Sequence, residues 1–173
     1  MIEIISAILK SQIRSKSIAF RTFPFVSLIL LLFAFAFDPD SGVISSISPG
    51  LFWLSVLFGS TFIFTTQSQN RSESKFFSSY GIEPMAIFFS RAIVNAIFIF
   101  ILSVFVGFFT IALYSPPIKN ILVLLLVVLV TTIALSTVGA IYTPLLEKTR
   151  DGGQLLSLLV IPILIPVFIG AIK

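Results

Sequence analysis

The sequence predicts an all-α membrane protein of about five transmembrane helices, and three observations predict it. The chain is 57% hydrophobic and only 10% charged, with a mean hydropathy of +1.14, far more apolar than a domain that keeps water as its solvent. Its apolar residues fall into five runs near the roughly 20 residues that a hydrocarbon layer about 30 Å thick requires. These runs are continuous and do not alternate, so they do not describe a β-barrel.

The elements follow in order. Residues 2–21 precede the first run and are amphipathic: Ile2, Ile5, Leu9, Ile13 and Phe20 fall on one side of a helix. Lys10, Arg14 and Arg21 gather about 110° away on the same helical projection. This is the pattern of an interfacial helix with its basic side towards anionic headgroups. The spans run over about 22–37, 51–67, 88–114, 120–143 and 155–172. Asp38-Pro39-Asp40-Ser41-Gly42 closes the first, and Pro49-Gly50 opens the second. Ser115-Pro116-Pro117 separates the third and fourth, and Asp151-Gly152-Gly153 precedes the fifth. All of this reads as a single permease-sized domain over 1–173, with no room for a nucleotide-binding domain and no cleavable leader.

Lys and Arg residues set the orientation. Lys10, Arg14, Lys16, Arg21, Arg71, Lys75, Arg91, Lys148 and Arg150 lie on one side of this topology, with only Lys119 and Lys173 on the other. Nine against two places the N-terminus in the cytoplasm of a multi-pass protein of the cell membrane, inner or plasma. The net charge of +4 is thus a topology signal beside apolar runs, and no nucleic-acid partner is expected.

Chemistry is scarce. The chain has no cysteine and no histidine, which removes thiolate chemistry, histidine ligation of haem and the common zinc sites. It has no glycine-rich phosphate loop, no paired carboxylates within a span and no nucleophile beside a base, so it is not expected to be an enzyme. No firmly bound cofactor is expected.

The residues left to examine are polar or kinking groups near the spans. Arg91 and Asn95 share one face of the third span, four residues apart. An ionisable group at membrane depth is a functional candidate, while one so near a helix end snorkels to the interface. Gln67 lies near the same side, and Ser136 and Thr137 sit in the fourth span. Ser103 and Gly107 form a small-xxx-small pair suited to close helix contact. Pro162 and Pro166, four apart in the fifth span, free carbonyls on one side of that helix, which then faces protein or a cavity. Between spans two and three, Lys75-Phe76-Phe77-Ser78-Ser79-Tyr80 follows a polar stretch and ends at Gly81. A short mixed helix there is a docking knob for a soluble subunit, or else a plain interfacial turn. Pro84 then suits the first turn of the next helix.

This order of features resembles the haem exporter protein B family (CcmB), membrane subunits of an ABC transporter of cytochrome c maturation. The resemblance is carried by the basic segment before Phe23-Pro24-Phe25, Asp38-Pro39, Ser48-Pro49-Gly50-Leu51-Phe52-Trp53 and the stretch 73–91. It continues through Gly139-Ala140, Arg150-Asp151-Gly152-Gly153-Gln154 and the double-proline segment 159–170, so it covers nearly the whole chain. It implies a type-two ABC exporter permease fold with a short cytoplasmic coupling helix at 73–80, whose contacts with an ATPase subunit would fall on Glu73, Lys75, Phe76, Phe77 and Tyr80. It further implies an ATPase in trans, other membrane subunits of the maturation complex, an oligomeric assembly in the lipid bilayer, and haem as a transported or handled ligand. Members of that family have six spans where five are counted here, and Arg71 and Lys75 make this coupling loop less acidic than theirs. An ABC permease for another substrate and a passive membrane scaffold remain as alternatives.

Overall fold

The computed structural model describes residues 2–15, 17–37, 43–68, 83–116 and 120–147. These residues form five helices and no strand: α1 (Ile2–Ser15), α2 (Ser17–Ala36), α3 (Val43–Ser68), α4 (Pro84–Tyr114) and α5 (Ile121–Glu147). The fifth span expected at 155–172, with Pro162 and Pro166, lies outside the described residues. So does the coupling segment, with Glu73, Lys75, Phe76, Phe77 and Tyr80.

Among the described residues three helices are long and apolar enough to cross a membrane, at Ser46–Thr65, Pro84–Tyr114 and Ile121–Pro144. A shorter apolar stretch, Phe20–Ala36, lies in α2. This is the signature of a multi-pass membrane protein.

The boundaries differ from the sequence expectation in physically sensible ways. The amphipathic segment does not run as one helix to residue 21, because α2 already begins at Ser17. Residues 17–21 instead lengthen a short apolar run to 20 residues, enough for about 30 Å at 1.5 Å per residue. Pro49 does not open the second span; it lies inside α3, which starts at Val43. Its missing N–H removes only the bond to the carbonyl four residues back, near the helix start. Pro84 does occupy the first turn of α4, behind Glu83 in an extended N-cap conformation. At the other end of α4, Ser115 adopts the left-handed conformation (φ 43°), its N–H donating to the Ile111 carbonyl, and Pro116 prevents continuation. Asn120 caps α5, its side-chain oxygen accepting from the Leu122 N–H at 3.0 Å.

Helix packing follows from burial. In α3 67% of the spanning window is buried, against 28% in α4 and 22% in α5, so α3 is the central post. α4 packs on α1, α2, α3 and α5, while its outward face and most of α5 present large apolar side chains such as Phe108, Leu122 and Leu126. Lipid is as apolar as leucine, so such faces gain nothing by pairing; close packing and polar contacts hold the bundle instead.

The core shows both. Val26, Leu30, Val56, Phe64, Ile99, Leu102 and Leu135 form one buried cluster, with Phe23 edge-on to Phe105 at 4.7 Å. The Tyr114 hydroxyl donates to the Leu30 carbonyl, pinning the end of α4 to the far half of α2. Gly59 lets α3 approach Val26 and Leu102, and Gly139 lets α5 approach the Phe64 ring; a Cβ at either position would collide with those side chains. The close approaches are therefore at Gly59 and Gly139. At Gly107 of the Ser103/Gly107 pair a Cβ would only touch Phe52 at an ordinary 3.7 Å.

Candidate functional site

One end of the bundle gathers α1, the start of α2, the end of α3, the start of α4 and the end of α5. Three contacts establish this. Ile8 of α1 packs with Val94 of α4, both fully buried. Gln67, at the end of α3, donates from Nε2 to Gln12 Oε1 of α1 at 3.1 Å in a buried site. Pro84 and Arg91 of α4 and Pro144 of α5 line a common cleft. The helices α2 to α5 thus alternate in direction, and the two helices that flank the segment between residues 68 and 84 both hold α1.

α1 has three sectors around its axis. Ile8 and Gln12 face the bundle, flanked by partly buried Ile4, Ile5 and Leu9. Ile2 and Ile13 are 82% and 60% exposed on one shoulder. Glu3 and Lys10 are exposed on the other. The apolar stripe read from the sequence is therefore split. Part of it packs against α4, and part remains open.

The cleft between α4 and α5 has a volume of about 390 Å³. Its α4 wall is Pro84, Ile87, Phe88 and Arg91, and its α5 wall is Ala140, Ile141 and Pro144. Arg91 is only 7% exposed. It does not snorkel outwards as its place near a helix end suggested. The cause is geometric: α4 begins two turns earlier, at Pro84, so Arg91 faces α5 across the cleft. Asn95 lies one turn deeper on the same face, 0% exposed, and neither its Oδ1 nor its Nδ2 has a hydrogen-bond partner.

The Thr22, Ser55, Ser90, Thr110 and Thr132 hydroxyls are likewise buried without a partner, whereas others are satisfied within their own helix. Ser60 donates to the Leu57 carbonyl, Ser103 to Ile99, Ser136 to Ile133 and Thr143 to Gly139, at 2.7 to 2.9 Å. A serine or threonine reaches its own preceding turn easily, and asparagine fits that turn poorly. An unpaired buried amide costs about 1–3 kcal/mol per missing bond, which marks Asn95 as a place where a partner belongs.

Of the residues singled out in the sequence, Arg91 and Asn95 share one face of α4, and Gln67 of α3 stands at the same end, bonded to α1. Sequence reading missed Gln12 and the α5 wall. Gln12 carried a signal, because it lies four residues from Ile8 on the buried face. The α5 wall had none, since Ala140, Ile141 and Pro144 become a wall only by crossing α4. Among the described residues no group of His, Cys, Asp or Glu side chains gathers to hold a metal ion.

The sequence comparisons bear on what this arrangement serves. A family model described as CcmB protein matches residues 1–173. The chain belongs to the CcmB family. A CcmB relative, Heme exporter protein B of Pseudomonas aeruginosa, is 30% identical over 150 residues, covering 84% of this chain and 66% of that protein. Heme exporter protein B of Haemophilus influenzae is 29% identical over 178 residues, covering 98% of this chain and 78% of that protein. The CcmB-family chain described here therefore spans just under two thirds of the length of the first and more of the second. No solved structure matches it.

Proposed function

We propose that this chain is the membrane subunit of an ATP-driven complex that exports or hands over haem for assembly of c-type cytochromes. The observation that carries the reading is the CcmB match over residues 1–173, together with two relatives named for haem export. In this reading the chain sits in the cell membrane with its N-terminus and the α1 end in the cytoplasm, which the distribution of basic residues supports.

ATP would be hydrolysed in a separate subunit, because the sequence has no phosphate-binding loop. Residues 73–80 would be that subunit's contact. Force applied there would act at once on the end of α3 and the start of α4, the two helices bridged by α1 through Gln12 and Ile8. Motion of that kind is rigid-body displacement of packed helices. Haem is cargo in this reading. With no His or Cys in the chain, axial ligation by those two side chains is absent, and contact with haem would use mainly apolar surface and its acidic groups.

The test is co-expression of the tagged full chain with its candidate ATP-binding subunit. The two should co-purify, and Phe76→Ala with Phe77→Ala should weaken the complex at least about tenfold, as expected for paired aromatic anchors. Absence of a complex with the wild-type chain overturns the reading.

A further inference from the structure

α3 and α5 run in the same direction and pack on each other, and the seating of the Phe64 ring on Gly139 fixes their register. Heptad steps along both helices carry that register towards the end away from α1, opposing Leu57 to Thr132 and then Gly50 to Leu125. The layers between them oppose Ser60 to Leu135, Trp53 to Val128 and Ser46 to Ile121. A left-handed crossing keeps two such stripes facing each other.

Burial along this seam is graded. Ser60, Leu135, Leu57 and Thr132 are all buried, and Trp53 is buried opposite a partly buried Val128. One layer further on, Ser46 and Ile121 are both exposed, and Leu125 is 56% exposed. A Cβ built on Gly50 would meet nothing within 4 Å. The seam is therefore packed from Gly139 to Thr132 and open in its last heptad.

The open heptad has the shapes needed for packing. At the packed end a glycine of α5 receives a large side chain of α3. At the open end the roles are exchanged, with the glycine on α3 and Leu125 on α5. Lipid is as apolar as leucine, so Leu125 is not penalised for facing it, and closing the seam gains only close packing at a small residue. Two arrangements balanced in this way lie close in free energy, and both are populated.

We infer that the last heptad of the α3–α5 seam closes in a second state of the protein, with Leu125 seated on Gly50, Ile121 over Ser46 and the contact of Gly139 with Phe64 as the pivot. The movement is a hinge closure of one helix end on another. It rests on register and burial, and not on the proposed function.

The experiment uses the purified full chain in nanodiscs without any ATPase. The chain contains no cysteine, so spin labels go only onto Ser46→Cys and Leu122→Cys, and double electron–electron resonance between them should give two distances. Gly50→Leu fills the groove with a side chain that has room in the open arrangement, so the protein should fold as before and lose the shorter distance. In a separate variant, Gly50→Cys with Leu125→Cys should form a disulfide on mild oxidation. That bond needs Cβ atoms about 3.5–4.5 Å apart, which closure provides.

A single distance that Gly50→Leu leaves unchanged overturns the inference, as it would if an acyl chain or a second copy of the chain held the gap open. Failure of the disulfide to form overturns it as well. Failure of the ATPase to co-purify would sink the proposed function and leave these distances standing.

Discussion

Gly139 lies where α5 crosses the fully buried ring of Phe64, and a Cβ there would run into three of the ring's carbons. Phe64 is itself fully buried, so a larger residue at Gly139 overpacks the contact between the helices. Gly139→Val is expected to destabilise the protein by about 1–3 kcal/mol, the usual cost of overpacking a core. Gly107→Ala, whose Cβ meets only Phe52 at 3.7 Å, should be close to neutral. Thermal unfolding of both variants in detergent, followed by size-exclusion chromatography, checks the contrast; equal loss in the two would mean that α5 does not approach Phe64 so closely. Nothing in the local sequence distinguishes these two glycines. Both sit in apolar helices, and only the partner across the interface separates them.

At the scale of the helix, α1 is the element whose role changed most between pattern and structure. Its amphipathic spacing is legible in the sequence, but the direction of its buried face is not, because Ile2, Ile5, Ile8, Leu9 and Ile13 spread over an arc of about 140°, and the buried residues sit at one edge of it. Ile8 and Gln12 prove to be the inward pair. A buried amide pair between helices is worth about 0.6 kcal/mol on average in membrane proteins, with values reaching about 1.7. A double-mutant cycle with Gln12→Leu and Gln67→Leu, read as unfolding free energy, should return a coupling of about that size. If the two substitutions are additive, α1 is held by its apolar contacts around Ile8. The same cycle, read as ATP hydrolysis in the assembled complex, would report whether the α1 bridge transmits the movement proposed for residues 73–80.

On the scale of the whole molecule, the bundle keeps an apolar core and differs from a water-soluble one in its apolar exterior. Its interior carries Ser55, Thr61, Ser103, Thr110 and Thr132, and its exterior carries Leu125, Phe108 and Ile133. In lipid this places small polar groups where helices meet and leaves apolar bulk facing the solvent. The chain contains no cysteine, so single cysteines report its topology cleanly. In sealed inside-out vesicles a membrane-impermeant maleimide should label Glu3→Cys and spare Ser115→Cys, and right-side-out vesicles should reverse the pattern. Labelling of both from one side would refute the alternation of α2, α3 and α4 across the membrane. The helical class, the apolar spans, the start of α4 at Pro84 and the CcmB resemblance were all readable in the sequence by itself. They depend on run length, charge bias and local backbone chemistry, each of which is a property of neighbouring residues. Only the tertiary structure decided that Arg91 is buried facing a cleft, that Asn95 lacks a partner beneath it, and that Gln12 reaches Gln67. Those facts depend on how helices distant in the chain rotate and cross, which in lipid is set by close packing at positions such as Gly59 and Gly139 and not by a general drive to bury apolar surface.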